Sequence, residues 1–419
     1  MARTGGLTTA QETVLRAVDA AVPEGLVVVA LSGGADSASL AWAVATLGTP
    51  ARAVSVDHGL PGSAWLMTAA SAIAARLGLQ HDTIFVRTAG TSETVLRTAR
   101  LAALESAVGV DETILTGHTA DDQAETVLGN LIRGAGAAGL AGIPRRRGRF
   151  ARPLLGVRRE VARLAAAELG LPFVDDPENA DLSIRRNRLR LQTLPHLGEY
   201  NPQVIEAIGR SARLVDADDA FLEALAAAVP VGSDEEAITV PAAVLTTLAE
   251  PVATRVVRAM LRAADGPYAG EAADVDAVMS VAATGVSASL SGDLLAVRER
   301  ALVVIHPNRP VPPPESVPLE TTGAARFGPW TIRADVAGVR VPVGERAVVR
   351  APVAGDRISI GGGRHKTVAD ALQEAGVPAR LRPRWPLVVD GDRIAWIVGV
   401  RIAPDDGEGR TLSATKEER

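Results

Sequence analysis

Short apolar runs alternate with segments of helical periodicity through the N-terminal half of the chain. The run at residues 26–31 is valine-rich and continuously apolar, which is typical of a strand buried on both faces of a parallel sheet. We predict further strands at residues 51–60, 80–87 and 113–117. Helical patterns flank and separate these runs, and we predict helices at residues 11–22, 37–47, 63–77, 92–108 and 156–169. This alternation indicates an α/β domain with a parallel, Rossmann-like sheet.

The pattern changes in the second half of the chain. We predict helices at residues 203–228, 240–264 and 271–284, and a small β element closes this part. The proline-rich segment HPNRPVPPPESVP then reads as a stiff, extended linker. Beyond it, apolar and polar residues alternate as in strands, with one helix near residues 367–375. We therefore predict four parts: an α/β domain at 1–198, a mainly helical domain at 199–305, the linker at 306–320 and a small β-rich α+β domain at 321–419.

A loop of small residues follows the first predicted strand and leads into a helix. Its glycines allow a tight turn and a close approach to an anion, while the helix start supplies free N–H groups and a favourable dipole. The loop lacks the lysine of a Walker A sequence. Asp36 would repel a bare phosphate, so we expect it to orient a metal ion or the loop itself. The alternative is an ordinary turn between strand and helix that binds no nucleotide. The loop residues are Ser32, Gly33, Gly34, Ala35, Asp36 and Ser37.

A histidine and two carboxylates follow the fourth predicted strand. His118, Asp122 and Glu125 are spaced i, i+4 and i+7, so a helix would present them on one face. Such a group can hold a hard cation, orient a substrate amine or act as an acid or base. Alternatively, the acids only complement the dipole of a helix N-terminus. Strand ends meet at one edge of an α/β sheet. We therefore expect this group, and the backbone near Val56 after the second strand, to lie beside the small-residue loop.

Arginine-rich segments follow, and each has two interpretations. Arg97 and Arg100 share a helix face with Glu93, as an ion pair plus a solvated arginine or as a basic face towards phosphates. Residues 133–144 contain GxGxxG without a preceding strand, which favours a flexible glycine loop over a dinucleotide site. The segment after residue 180 predicts a basic helix that reaches phosphate or a base or is only solvated. Its candidate residues are Asp181, Arg186, Asn187 and Arg190.

Composition excludes several classes of protein. The 419 residues are 47% hydrophobic, which suits two or three packed domains. The net charge of −5 excludes a globally basic nucleic-acid coat. The absence of cysteine excludes disulfides, thiolate metal sites and a cysteine nucleophile. No apolar run approaches the ~18 residues of a membrane span, and no signal-peptide pattern opens the chain. We therefore expect a cytoplasmic protein without a membrane partner.

The motifs together resemble a known family. SGGADS resembles the pyrophosphate loop (PP-loop) of N-type ATP pyrophosphatases, which cleave ATP to AMP and pyrophosphate. The tRNA(Ile)-lysidine synthetase family has a similar ordered set of motifs, here SGGADS, VDHGL, ETVLRTAR, GHTADDQAET, RGAGAAGLAG, RPLL and DPENADLSIRRNRLR. The resemblance covers residues 24–200 and returns in the C-terminal domain. Two positions depart from the family pattern, Pro61 and Leu101, which leaves their roles open.

The resemblance implies a reaction and its participants. ATP would adenylate the C2 oxygen of the first anticodon cytidine of a CAU-bearing tRNA(Ile), and free L-lysine would displace AMP to give lysidine. It leaves a homodimer open. It implies that domains 199–305 and 321–419 bind tRNA, and that Mg²⁺ accompanies ATP at Asp36 and Asp121. Chemistry would involve Asp36, His118, Asp122 and Glu125. ATP would contact Ser32, Gly33, Gly34, Ala35, Asp36, Ser37, Val56 and Gly117. The tRNA would contact Arg97, Arg100, Arg133, Asp181, Arg186, Asn187 and Arg190.

Three other functions are compatible with parts of this pattern. Thiolation of tRNA uses the same ATP-binding fold, but it normally carries sulfur on cysteine. Small-molecule amide ligases share the loop, but they do not explain the basic helix and the basic C-terminal domain. A non-catalytic tRNA-binding protein would not need Asp36, His118 and Asp122.

Overall fold

The computed structural model describes residues 6–60, 63–88, 90, 92–234, 237–266, 269–404 and 409–417, without the side chains of Glu93, Asp335 and Val336. Pro61 and any ion pair of Glu93 with Arg97 therefore lie outside the described set. The chain divides into two compact units, Met1–Phe221 and Leu222–Arg419. The four-part division proposed above stays a prediction.

The first unit is an α/β domain, as predicted. Its strands are β1 (Val27–Ala30), β2 (Ala51–Asp57), β3 (Gln80–Phe85), β4 (Thr113–Leu115), β5 (Arg146–Arg147) and β6 (Phe150–Ala151). Its helices are α1 (Thr9–Asp19), α2 (Ala35–Thr46), α3 (Ser63–Leu77), α4 (Glu93–Ser106), α5 (Ala120–Ile132), α6 (Ala137–Leu140), α7 (Arg159–Glu168), α8 (Arg185–Arg188), α9 (Leu194–Tyr200) and α10 (Val204–Ala227). A π-helical turn, Leu189–Thr193, joins α8 to α9.

The sheet has the strand order β3-β2-β1-β4-β6-β5. Strand β1 pairs in parallel with β2 on one side and β4 on the other, and β6 continues the parallel set beyond β4. Val27, Val28 and Val29 are fully buried, as expected for a strand covered on both faces. The direction of winding reverses between β1 and β4, and ligands of such sheets bind at the carboxyl ends of the strands at that point. The loops after β1 and β4 meet there.

Two glycines allow the chain to close tightly around this point. Gly33 has φ +84°, and a Cβ placed on it would lie 2.2 Å from the carbonyl oxygen of Leu66 in α3. A Cβ on Gly117, after β4, would lie 3.0 Å from the carbonyl carbon of Asp36 and from the amide nitrogen of Ser37. Only glycine lets α3 and the β4 loop approach the start of α2 this closely.

The second unit combines helices with several small sheets. Strands β7 (Gly232–Asp234), β8 (Ala237–Pro241), β9 (Ala288–Leu290), β10 (Leu294–Glu299) and β11 (Leu302–Pro307) form one sheet in the order β7-β8-β11-β10-β9. Its helices are α11 (Ala242–Thr247), α12 (Glu250–Asp265) and α13 (Ala272–Thr284). The single helix predicted at 240–264 was therefore wrong. Leu248 adopts an extended conformation and ends α11, and Pro251 favours a new helix start, where its missing N–H costs no hydrogen bond.

The rest of the chain is β-rich, as predicted. The strands are β12 (Val317–Pro318), β13 (Gly323–Phe327), β14 (Trp330–Val341), β15 (Ala347–Arg350), β16 (Arg357–Gly361), β17 (Arg364–Thr367), β18 (Leu387–Asp390), β19 (Arg393–Ile397), β20 (Arg401–Ile402) and β21 (Arg410–Lys416), with helix α14 (Val368–Glu374) after β17. They form one sheet along β12-β15-β18-β19-β16-β17 and another along β13-β14-β21. Within the described residues, no helix is long and apolar enough to span a membrane.

The close approach at Gly33 predicts the effect of a single methyl group. We expect Gly33→Ala to lower the free energy of unfolding by about 3 kcal/mol, because it adds overpacking to the strain of a positive φ. Gly48→Ala is the matched control: Gly48 also has a positive φ of +68°, but no atom lies within 4 Å of its added Cβ. That control should lose only about 1 kcal/mol. Chemical denaturation measures both, and equal losses would contradict the packing argument.

Candidate active site

The loop after β1 forms a compact turn around the hydroxyl of Ser37. This hydroxyl donates to the carbonyl oxygen of Gly34 at 3.0 Å and accepts from the amide of Ser32 at 3.2 Å. The Ser32 hydroxyl lies 3.1 Å from it. Gly34 is the N-cap of α2 and provides no side chain to cap the helix. The N–H groups of the first turn of α2 are thus free of a side-chain cap, as an anion-binding helix start requires.

Asp122 caps α5 and also binds arginine. Its Oδ2 accepts from the amide and the hydroxyl of Thr119, both at 2.8 Å. Its Oδ1 accepts from Nη2 of Arg159 and Nη2 of Arg186, both at 2.8 Å. The capping box fixes the carboxylate, so the arginines meet an acceptor of defined orientation.

Glu125, one turn later, is enclosed by three arginines. Its side chain has no exposed surface. Arg159 Nη1 donates to Oε1 at 3.0 Å, Arg190 Nε donates to Oε1 at 2.7 Å and Arg186 Nε donates to Oε2 at 2.7 Å. Asp122 and Glu125, with Arg159, Arg186 and Arg190, form what we call the carboxylate–arginine cluster.

The arginines keep both carboxylates ionised. Burial alone would raise the pKa of Asp122, but the charges of Arg159 and Arg186 outweigh it and lower that pKa. Burial likewise acts to raise the pKa of Glu125, and the Arg190 hydrogen bond together with the charges of Arg159 and Arg186 lowers it instead. The site thus holds fixed negative charge that is matched by positive charge.

Asp36 lies beside this cluster but has fewer hydrogen-bond partners and a pKa shifted in the opposite direction. Arg159 Nε is 3.5 Å from its Oδ2, while its Oδ1 is buried without a hydrogen-bond partner among the described residues. Burial raises the pKa of Asp36 to about 7; Arg159 opposes that rise, and the charges of Asp122 and Asp121 add to it. A carboxylate oxygen left without a partner at the mouth of a phosphate-type loop suits a bound cation.

Asp121 already has protein partners. Its Oδ2 accepts from the amide of Arg159 at 2.7 Å and from Nε of Arg158 at 3.2 Å. Arg158 also donates to Glu206 at 3.0 Å. A metal ion at Asp121 would have to compete with these contacts. In the described part of the chain, no three His, Asp or Glu side chains form a ready metal-binding group.

His118 lies in the loop between β4 and α5, before the N-cap Thr119, as a neutral side chain. The predicted helical face therefore carries Asp122 and Glu125 but not His118. The Nδ1 of His118 lies 2.9 Å from the hydroxyl of Thr116. Burial lowers the pKa of His118 to about 3; Asp122 opposes this, while Arg100, Arg152 and Arg186 reinforce it. An uncharged imidazole at neutral pH can accept or relay a proton.

The predicted basic helix is present, but its residues face inward as well. Arg186 and Arg190 belong to the carboxylate–arginine cluster. Asn187 is buried and donates to the backbone oxygens of Glu178 at 2.7 Å and Asp181 at 2.9 Å. The Asp181 carboxylate accepts from the amide of Ser183 at 2.8 Å, so Asp181 positions the helix start. Contacts of this helix with tRNA stay a prediction.

The remaining candidates lie at the edges of the site. Arg97 and Arg100 are exposed on α4, and Arg133 is exposed after α5, where it donates to Asn130. Val56 is half-buried near the end of β2. Helix α6 forms part of the glycine-rich segment 133–144. The side chain of Asn130 donates to the carbonyl oxygen of Gly139 in this helix at 2.6 Å.

The sequence-based prediction missed Arg159, although it touches Asp36, Asp122 and Glu125. One signal could have revealed it. Arg158 is the N-cap of α7 and Arg159 its first residue, where two positive charges oppose the helix dipole. Arginines in that position need a partner elsewhere in the fold.

Comparison with known proteins agrees with this architecture. A family model described as "PP-loop domain" matches residues 7–197, so the fold and site define an ATP-using enzyme of the PP-loop class. A second model, "TilS substrate C-terminal domain", matches residues 347–413. The curated tRNA(Ile)-lysidine synthase of Mycolicibacterium paratuberculosis is 41% identical over 68% of this chain and 91% of its own length. That of Thermobifida fusca is 41% identical over 58% of this chain and 78% of its own. The chain belongs to the tRNA(Ile)-lysidine synthase family of tRNA-modifying ligases.

Solved structures show weaker overall similarity. A crystal structure of the TilS C-terminal domain is 26% identical, with a TM-score of 0.18 over 26% of this chain and 94% of that chain. A U34-tRNA thiolase from Methanococcus maripaludis is 20% identical, with a TM-score of 0.42 over 49% of this chain and 79% of that chain.

The position of Arg159 predicts a pH-dependent stability effect. We expect Arg159→Gln to lower the free energy of unfolding by about 2 kcal/mol at pH 7, because buried carboxylates lose a partner. Because folding lowers the pKa values of Asp122 and Glu125, their ionised forms stabilise the folded state at any pH above the pKa values of the unfolded chain. This stabilisation is lost as the pH falls through the pKa values of the folded state. The difference between variant and wild type should therefore shrink as the pH falls below about 4, through the lowered pKa values of the two carboxyls.

Arg163→Gln is the control for this measurement. Arg163 is one turn later on α7, and its ion pair with Asp175 is largely exposed, with side-chain exposures of 48% and 66%. Its loss should change stability by less than about 0.5 kcal/mol. A pH-independent loss in Arg159→Gln would contradict the linkage.

The lowered pKa of His118 predicts its protonation state in solution. We expect the imidazole to remain neutral at about pH 5, because burial disfavours the charged form. Nitrogen-15 chemical shifts of the ring, assigned with a His118→Gln variant, measure this directly. A titration near the ordinary histidine value of about 6.5 would refute the prediction.

Proposed function

We propose that this enzyme ligates free L-lysine to C2 of the cytidine at the first anticodon position of CAU-bearing tRNA(Ile). ATP activates the cytidine as an adenylate, and lysine then displaces AMP to form lysidine. The codon read changes from AUG to AUA. The observation that carries this proposal is the placement of a phosphate-type loop directly beside buried, ionised carboxylates. Membership of the family, with 91% of a relative's length covered, supports it.

The activation step uses the loop after β1. The phosphates of ATP bind at Ser32–Ser37 and the start of α2, where N–H groups and the helix dipole favour negative charge. The C2 oxygen of cytidine attacks the α-phosphorus of ATP. The bond between that phosphorus and the oxygen that bridges it to the β-phosphorus breaks, and pyrophosphate leaves. Asp36 would hold Mg²⁺ through its unpartnered Oδ1, and the ion would neutralise charge on the phosphates. Asp121 fits this role less well because its Oδ2 already accepts two hydrogen bonds.

The transfer step uses the carboxylate–arginine cluster. Asp122 and Glu125 are acceptors for the ammonium group of lysine, which takes part of the place now held by arginine nitrogens. Free lysine has a pKa of about 10.4, so its amine must lose a proton before it attacks C2. His118 is neutral in the loop after β4, so its ring can accept a hydrogen bond from the amine. Its pKa of about 3 makes it too weak a base to keep the proton, which passes to solvent. The amine attacks C2, and AMP leaves with the C2 oxygen.

The C-terminal part of the chain favours RNA as the substrate. The match of residues 347–413 to a TilS substrate C-terminal domain favours tRNA over a small-molecule acceptor. Thiolation that carries sulfur on cysteine is excluded because the chain has no cysteine. We further propose a cytoplasmic location, where tRNA and ATP meet; a homodimer stays an open prediction.

Incorporation of labelled lysine tests the proposed function directly. The enzyme is incubated with ATP, Mg²⁺ and a CAU-anticodon tRNA(Ile) transcript, beside a tRNA(Met) transcript with the same anticodon. Label in tRNA(Ile) alone would establish both the reaction and its discrimination. Formation of AMP with another acceptor, and no lysine in tRNA, would refute the assignment while keeping the ATP site.

Asp36 separates activation from tRNA binding. We expect Asp36→Asn to slow adenylate formation by about 100-fold or more, because the charge opposite the phosphates is lost. Binding of tRNA should stay within about twofold of wild type, since Asp36 faces the loop rather than the surface. Pyrophosphate release and filter binding measure the two quantities, with the exposed Asp19→Asn as control. Equal loss of both would show that Asp36 acts only through the fold.

A further inference from the structure

Arg152 is a buried positive charge that the reaction described above does not use. Arg152 is only 5% exposed to solvent. Its Nη1 donates to the carbonyl oxygen of Pro144 at 2.8 Å, and its guanidinium lies 6.0 Å from the centre of the Phe150 ring. Its Nε is buried and has no hydrogen-bond partner within the described residues. Arginine is rarely buried unless it is paired with an anion.

The neighbours of Arg152 add positive charge. Burial, together with the charges of Arg97 and Arg147, lowers the pKa of Arg152 to about 10. Arg147 is exposed on the edge strand β5 and lies opposite Phe150 in the register, on the sheet face that carries Phe150 and Arg152. Phe150 packs in a core cluster with Leu104 of α4, the helix that carries Arg97. No described carboxylate forms an ion pair with Arg152.

This positive group borders the reaction centre. Thr116 donates its amide to the carbonyl oxygen of Ala151 at 3.0 Å, which places Arg152 next to Thr116 at the carboxyl ends of β4 and β6. The Thr116 hydroxyl in turn lies 2.9 Å from the ring of His118. The loop that takes the ATP phosphates follows β1, on the opposite side of β4. An anion at Arg152 would therefore lie beside the cytidine rather than on ATP.

We propose that Arg152, Arg147 and Arg97 form a binding site for a phosphodiester of the tRNA backbone next to the cytidine that is modified. The inference rests on the proposed function, because it takes tRNA as the substrate. Arg152 supplies a pre-organised guanidinium whose charge acts from just below the surface, and the exposed Arg147 and Arg97 supply the direct attraction. A phosphate held there fixes the unstacked cytidine relative to the loop and to His118. Such a contact adds affinity without reading sequence.

Salt-dependent tRNA binding tests this site. Arg147→Gln, Arg152→Lys and the control Arg149→Gln are compared with wild type in filter binding from about 50 to about 300 mM KCl. Arg149 lies on the same hairpin, but its guanidinium donates to the carbonyl oxygens of Val108 and Gly109. We expect Arg147→Gln to weaken tRNA binding about fivefold and to reduce the slope of log K against log salt by about 1. Arg149→Gln should match wild type, and ATP binding should be unchanged in all variants.

Arg152→Lys keeps the charge but loses the planar fork, so we expect a raised KM for tRNA of about fivefold at an unchanged KM for ATP. If Arg152→Lys unfolds at a lower temperature than wild type, the variant of the exposed Arg147 still tests the proposal. Wild-type tRNA affinity and slope in the Arg147 variant and in any folded Arg152 variant would overturn the proposal. Unchanged tRNA binding with weaker inhibition by inorganic pyrophosphate would also overturn it, because the site would then serve the leaving group.

The two proposals fail separately. If wild type transfers no lysine to tRNA(Ile) but the Arg147 and Arg152 variants still lose tRNA affinity and salt slope, the phosphate site stands and the proposed reaction does not. If wild type forms lysidine and the variants bind tRNA normally, only the phosphate site is refuted.

Discussion

The burial of Asp122 and Glu125 in ionised form is the constraint on which the active site depends. Removing a carboxylate from water costs several kcal/mol unless hydrogen bonds and opposite charge replace the lost solvent. Here the replacement comes from Arg159 on α7, from Arg186 on α8 and from Arg190 on the π-helical turn that follows α8. These elements are far apart in sequence, so the buried carboxylates gain these partners only when the first unit is folded.

Close backbone packing brings the two halves of the site together. Gly33 lets α3 approach the loop after β1, and Gly117 lets the β4 loop approach the start of α2. Asp36, on the first turn of α2, therefore stands beside Arg159 and the acidic face of α5. The pKa of Asp36 is raised, whereas the pKa values of the neighbouring Asp122 and Glu125 are lowered. Two different electrostatic environments therefore lie side by side in the site. Adenylation and amine attack need such different environments within reach of one nucleotide.

Charge is also segregated around the reaction centre. On the α5 and α7 side, acids and arginines are paired. On the β6 side, Arg152 is buried with no acidic partner among the residues that the structure describes, and Arg147 and Arg97 add positive charge. His118 lies between the two sides and is kept neutral. A substrate that carries both a cationic amine and an anionic backbone, as lysine and tRNA do together, suits this division.

The sequence by itself determined the parallel α/β domain, the phosphate-type loop and the shared helical face of Asp122 and Glu125. These follow from local patterns: a continuous apolar strand, small residues before a helix, and i, i+3 spacing. It wrongly extended that helical face to His118, which precedes the N-cap Thr119 of α5. It could not show Arg159, because a residue at the start of α7 acquires its role only when α7 packs against α5. It likewise placed Arg186 and Arg190 on a basic helix that faces nucleic acid or solvent, whereas the fold turns both side chains onto Glu125. Tertiary structure decided the partner of each charge, since ion pairs depend on distances between elements that no local spacing encodes.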